Sequence, residues 1–260
     1  MQDAKKIVVL GGTGLIGKRV VALLRAKGLD VVAASPSAGI DAVTGEGLAE
    51  ALTGADVVVH LTNLLSYDAQ AMLDFFGNST RNALAAGAAA GVRHHVALSV
   101  VGTDGLTVSP YFVAKELQEN LLRDAGVPYT IVRATQFFAQ LFNLVPAIAD
   151  AGARADGAAV HLPPIWFQPV APDDVAQAVA DAALNTPVDG IVDFAGPDRL
   201  RLPDLVRQYF AAVGDRRAVV ADEQASYFGT PVHEHSLVPQ GRTGTGATSV
   251  AAWLAAQQAA

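Results

Sequence analysis

The chain has no cysteine. Disulfide staples, thiolate zinc sites and a cysteine nucleophile are therefore excluded, while the redox compartment stays open on that ground. Charge is also sparse: charged residues make up 17% of the 260 positions, against roughly 25% in an average soluble chain. The 18 basic and 25 acidic residues leave a net charge of −7, which argues against broad binding to a phosphate backbone and hence against a nucleic-acid partner. Any anion must meet a local site. No apolar run approaches the length of a membrane span, and Ile7-Val8-Val9-Leu10, behind Lys5 and Lys6, stops at Gly11, too short for a signal-peptide core. A soluble, cytoplasmic protein without a membrane partner is expected. Internal repeats and blocks of like charge are absent too.

What is present is apolar. Hydrophobic residues reach 51%, enough to exclude disorder and to enclose one large domain over residues 1–260, with segments near 135–159 and 199–260 expected to form a small substrate lobe. Short apolar runs alternate with longer helical patterns, which builds an α/β fold, a doubly wound parallel sheet of Rossmann type. The runs predict strands at Lys6 to Leu10, Val31 to Ala34, Val57 to Leu61, His95 to Val100, Tyr129 to Arg133 and Ile191 to Phe194. Helices are predicted at Ala69 to Ala90, Tyr111 to Asp124, Asp173 to Leu184 and Leu202 to Ala212, with Ser109-Pro110 as N-cap and first helical residue. Residues 243–249 read as a flexible connection before a last helix carrying Trp253 and Leu254.

The strongest motif is Gly11-Gly12-Thr13-Gly14-Leu15-Ile16-Gly17, set between the first strand and an amphipathic helix. Gly11 can make the tight turn, Gly14 lets a pyrophosphate approach the backbone, and Gly17 lets the helix pack close to the strand. Free N–H groups at the helix start then hold the anion. A dinucleotide is the expected ligand. After the second strand come Ser35-Pro36-Ser37, with no carboxylate to repel a 2′-phosphate and two hydroxyls to donate to one, so NADP is preferred over NAD.

Tyr111 and Lys115 lie four apart on one helical face, and Ser99 stands on an apolar strand. A nearby ammonium favours the phenolate, so this tyrosine can shuttle a proton while the serine hydrogen-bonds a reacting oxygen. The bland alternative is an aromatic ring packed beside a solvated lysine.

Taken together, the glycine turn, Ser99, the Tyr111/Lys115 pair and the strand order resemble the short-chain dehydrogenase/reductase superfamily, and within it the atypical NAD(P)-binding branch that includes NmrA-like proteins. The resemblance extends to Leu121–Arg133, Val170–Ala176 and Ala195-Gly196-Pro197. It implies an oxidoreductase that transfers a hydride between nicotinamide and a carbonyl or alcohol of a small-molecule substrate. Tyr111 would be the proton donor or acceptor, Lys115 would tune it and grip ribose, and Ser99 would polarise the oxygen. By the same analogy Thr62 and Asn63 border the cofactor, Gln136 borders the substrate, and Glu46 lies near the adenine. Two alternatives stay open: a redox-sensing regulator that binds NADP without turnover, and an epimerase or dehydratase that retains its cofactor. No metal is expected, because His94 and His95 point to opposite faces of a strand and His233 and His235 have no further ligand cluster. The low charged fraction leaves room for a homo-oligomeric contact.

Overall fold

A computed structural model describes residues 5–66, 68–138, 159–227 and 229–258. Contacts divide the chain into two compact units, Met1–Arg133 with Asp173–Val192, and Ala134–Pro172 with Asp193–Ala260. Most of the lobe segment expected near 135–159 falls outside the described residues.

The first unit is built on β1 (Lys6–Leu10), whose Ile7, Val8, Val9 and Leu10 are all buried. Burial on both faces of a strand is the mark of a central position in a parallel sheet. Strand β1 pairs in parallel with β2 (Asp30–Ala34) on one side and β3 (Val57–His60) on the other, and β3 pairs in parallel with β4 (His94–Val100). With β5 (Tyr129–Ala134), β8 (Gly190–Ala195) and β11 (Thr243–Thr245), the sheet has seven strands in the order β11-β8-β5-β4-β3-β1-β2. The order reverses at β1, and the carboxyl ends of β1 and β3 flank the crevice that such a reversal creates.

Helix α1 (Gly17–Ala26) buries Gly17, Val20, Val21 and Leu24, the one-face spacing of an amphipathic helix. A short α2 (Leu48–Leu52) follows. Helix α3 (Ala69–Ala90) has the bounds its sequence predicts, because both ends are chemically marked. Asp68 accepts from the amides of Gln70 and Ala71, and Gly91 closes the helix in the left-handed conformation at φ 74°. Helix α4 (Pro110–Asp124) starts at the expected proline, but the Ser109 hydroxyl makes no capping bond. Helix α5 (Pro172–Leu184) carries Asp173 and Asp174 in its first turn.

In the second unit β6 (Ala159–Leu162) pairs in parallel with β10 (Ala218–Ala221), and β7 (Trp166–Phe167) pairs antiparallel with β9 (Leu200–Arg201). Helices α6 (Leu202–Val213) and α7 (Val250–Gln258) also belong to it, and Phe138 stacks on Trp253 at 5.3 Å. Here the expectation of a flexible connection over 243–249 is corrected: Thr243–Thr245 form β11, in register with Asp193–Ala195 of β8. Gly244 makes this possible, since a Cβ there would lie 2.8 Å from the Phe194 ring. No helix among the described residues is long and apolar enough to cross a membrane.

Three histidines are sealed inside the first unit. The His60 and His95 rings share a hydrogen bond of 3.0 Å, and His94 bonds Thr130 Oγ1 on the other side of the sheet. Burial pulls His94 and His95 down to about 4, and His60 well below its ordinary value. The folded state therefore refuses protons that the unfolded chain accepts below about 6.5, so stability falls as pH drops from about 6.5 towards 4. Each of His94 and His95 costs on the order of 2 kcal/mol by pH 5. Urea unfolding should show a midpoint that drops between pH 7 and 5, and His95→Gln, which keeps a partner for His60, should flatten that drop. A midpoint independent of pH in the wild type would refute the assignment.

Candidate active site

The glycine turn is a set of backbone contacts that side chains would forbid. At Gly11, φ is +75° and a Cβ would lie 2.7 Å from the Leu61 carbonyl oxygen; at Gly12 it would lie 2.7 Å from Ala33 Cα. At Gly17 it would fall 2.0 Å from the Gly11 carbonyl oxygen, so α1 can start here only with glycine. Thr13, Gly14 and Leu15 are exposed, and the amides of Thr13, Leu15 and Ile16 donate to no carbonyl among the described residues. Arg19 braces the turn by donating to the Leu15 carbonyl at 2.7 Å. Unused amides at a helix N-terminus, beside a backbone stripped of Cβ atoms, fit the diphosphate of a dinucleotide.

The same turn fixes what lies beside it. Gly11 abuts Leu61 and Thr62 as the chain leaves β3, and the next residue, Asn63, accepts a hydrogen bond of 3.0 Å from the Tyr111 hydroxyl. Tyr111 occupies the first turn of α4, against Phe76 and Phe112 in edge-on contacts. Burial pushes its phenol up to about 12, so it is a protonated donor at neutral pH. Lys115, one turn further along α4, is buried over the Phe76 ring, and its amine donates to the Leu98 carbonyl at 2.7 Å and to Gln118 Oε1. Desolvation draws that amine down to about 7, opposed by the negative charge of Glu119.

Ser99 is held elsewhere. Its hydroxyl donates to Glu119 Oε1 at 2.6 Å, and the fully buried Glu119 carboxylate also receives Arg133 Nε and Nη2 at 2.9 and 2.7 Å and Arg123 Nη2 at 2.9 Å. Arg133 reaches Asp104 as well, at 3.0 Å. The structure thus brings Tyr111 together with Asn63 and places Ser99 on the Glu119 cluster. Glu119 lies four residues beyond Lys115, a helical spacing that the sequence offered; Asn63 as the partner of Tyr111 had no local signal.

Ser35 and Ser37 sit on the turn after β2, their hydroxyls 3.0 Å apart. Glu46 is exposed, with its backbone carbonyl bonded to the Asp41 amide. Gln136 belongs to the second unit, where its Oε1 is buried without a partner. Among the described residues no three metal-capable side chains are grouped.

Comparison with known proteins gives the turn its setting. A family model described as NAD(P)H-binding matches residues 11–186. The chain is 31% identical over 159 residues to a (4-alkanoyl-5-oxo-2,5-dihydrofuran-3-yl)methyl phosphate reductase from Streptomyces griseus subsp. griseus, across 56% of this chain and 53% of that protein. It therefore spans about half the length of that relative. In fold it is similar to MoeE5 solved with UDP-glucose and NAD, at TM-score 0.69 and 18% identity over 97% of both chains. It is similar also to the NADPH-dependent quinone oxidoreductase QOR2 of Escherichia coli, at TM-score 0.61 and 19% identity over 83% of this chain and 78% of that one.

The glycines make unequal demands, and unfolding measurements can read the difference. Gly17→Ala forces two backbones apart and should cost about 2–3 kcal/mol. Gly14→Ala, whose Cβ would stand 3.2 Å from its nearest neighbour, should cost less than about 1 kcal/mol. Equal losses would contradict the packing described.

Proposed function

The chain belongs to the NAD(P)H-binding family, and from that premise we propose that it is an NADP(H)-dependent oxidoreductase. In this reading it moves a hydride between nicotinamide and the carbonyl or alcohol carbon of a small organic substrate. One observation carries the reading: a continuous run of contacts from the diphosphate turn at Gly11, through Leu61 and Thr62, to Asn63 and the Tyr111 hydroxyl. The anion-binding turn and a proton donor are thereby fixed to the same edge of the sheet.

When bound, the dinucleotide supplies the hydride. Thr13 to Gly17 would hold its diphosphate, and Ser35 and Ser37, with no carboxylate from Val31 to Ile40, favour the 2′-phosphate of NADP over the bare hydroxyl of NAD. The chain's own task is the proton. Tyr111, kept protonated by burial, gives its proton to the oxygen that gains charge when a carbonyl is reduced, and recovers one from solvent. In its protonated form Lys115 uses two of its three ammonium protons on Leu98 and Gln118, which leaves one for a ribose hydroxyl. The reductase relative supports reduction as the favoured direction.

A second reading, a regulator that binds the dinucleotide without turnover, is favoured by one fact: Ser99 and Lys115 are both hydrogen-bonded inside the protein. Consumption of NADPH separates the two. Across a panel of carbonyl compounds the wild type should consume NADPH faster than NADH. Tyr111→Phe should lose at least about 100-fold in rate while binding NADPH as before. Tight binding with no consumption by the wild type would favour the regulator, and an undiminished rate in Tyr111→Phe would remove the proton-transfer role.

A further inference from the structure

We propose that the Asn63 carboxamide, and not the Ser99 hydroxyl, is the second hydrogen-bond donor to the substrate oxygen; this rests on the oxidoreductase reading above. Ser99 and Asn63 differ in the protons they have left to give. A serine has one proton to give, and that of Ser99 is donated at 2.6 Å to a carboxylate with no exposed surface. Donation to an ionised acceptor is the stronger kind of hydrogen bond. To serve a neutral carbonyl instead, Ser99 would have to leave the buried Glu119 carboxylate one bond short.

Asn63 is in the opposite condition. It is exposed, and only its Oδ1 is engaged, by the Tyr111 hydroxyl at 3.0 Å. Both protons on Nδ2 are without an acceptor among the described residues. A substrate carbonyl that takes the Tyr111 proton must displace Asn63 Oδ1 as its acceptor. The oxygen then lies beside the carboxamide, and a half-turn about its terminal torsion presents Nδ2–H to the same atom. A carbonyl oxygen has two lone pairs, and Tyr111 and Asn63 supply two donors to them. In the reduction, the carbon gains the hydride and the C=O π pair moves to oxygen. That oxygen takes the proton from Tyr111, while Asn63 lends its N–H without transferring it. Electrons and protons balance with the reduced dinucleotide as the only reductant.

The simpler role for Asn63 is to pin the phenol, and the substitutions separate the two. Asn63→Asp keeps an acceptor for Tyr111 and removes the N–H donors; Asn63→Ala removes both; Asn63→Gln restores the donor on a longer stem. NADPH consumption is measured with phenanthrenequinone, and with the carbonyl panel described above, for these variants, Ser99→Ala and Tyr111→Phe. NADPH affinity is followed in each by nicotinamide fluorescence. Asn63→Asp and Asn63→Ala should lose on the order of 100-fold in kcat, Asn63→Gln should recover part of it, and Ser99→Ala should lose less than about threefold. Affinity for NADPH should hold in Ser99→Ala and Tyr111→Phe, and kcat of the Asn63 variants is read at saturating NADPH. If Asn63→Asp stays near wild type while Ser99→Ala and Tyr111→Phe are both crippled, this inference is overturned and the oxidoreductase reading stands. If the wild type consumes no NADPH, or Tyr111→Phe is fully active, that reading falls and takes the inference with it.

Discussion

At the mouth of β1 three stretches of backbone approach one another more closely than any side chain permits. Gly11 lies against Leu61, Gly12 against Ala33, and Gly17 against Gly11 itself. This crowding fixes where α1 begins, so its first amides emerge unpaired at the carboxyl edge of the sheet. It also fixes how the chain leaves β3, and through Asn63 it ties that exit to the first turn of α4. A helix end that attracts anions and a phenol that holds its proton are thus linked by backbone crowding and one side-chain hydrogen bond.

The rest of α4 is held by polar groups that the core would ordinarily exclude. Glu119 and Arg133 are almost wholly buried, a placement whose desolvation cost is offset only when every oxygen and nitrogen is engaged. Here they are: Ser99, Arg123 and both sides of the Arg133 fork meet the carboxylate, and Asp104 meets the outer guanidinium nitrogen. Apolar side chains of the same volume could fill this space, but they would not specify the rotation of α4 about its axis. The directional bonds do, and with it the positions of Lys115 one turn away and Tyr111 two turns away. Lys115, Gln118 and Thr80 continue the polar seam towards α3.

Much of this was legible in the chain's own pattern. Buried runs such as Val57–His60 and marked helix ends such as Asp68 and Gly91 announce themselves locally, and the glycine spacing announces the turn. The short elements β7, β9 and α2 did not show, because two residues of strand or little more than one turn of helix are too few to display a period. Strand β11 reads as a loop, since Thr243-Gly244-Thr245 carries no apolar signal and its partner lies some fifty positions earlier. The Ser99 hydroxyl was hardest. Strand alternation says which face it occupies but not that a carboxylate waits there, twenty residues along the chain. Asn63 and Tyr111 meet across forty-eight residues, a juxtaposition that only the folded sheet creates.

If the amides of the glycine turn grip a dinucleotide's diphosphate, backbone amide resonances followed by NMR during titration with NADP report it most directly. Thr13, Leu15 and Ile16 should show the largest shifts, saturating together with changes at Thr62 and Asn63. Saturable binding that leaves Thr13 to Ile16 undisturbed and moves resonances elsewhere would contradict it.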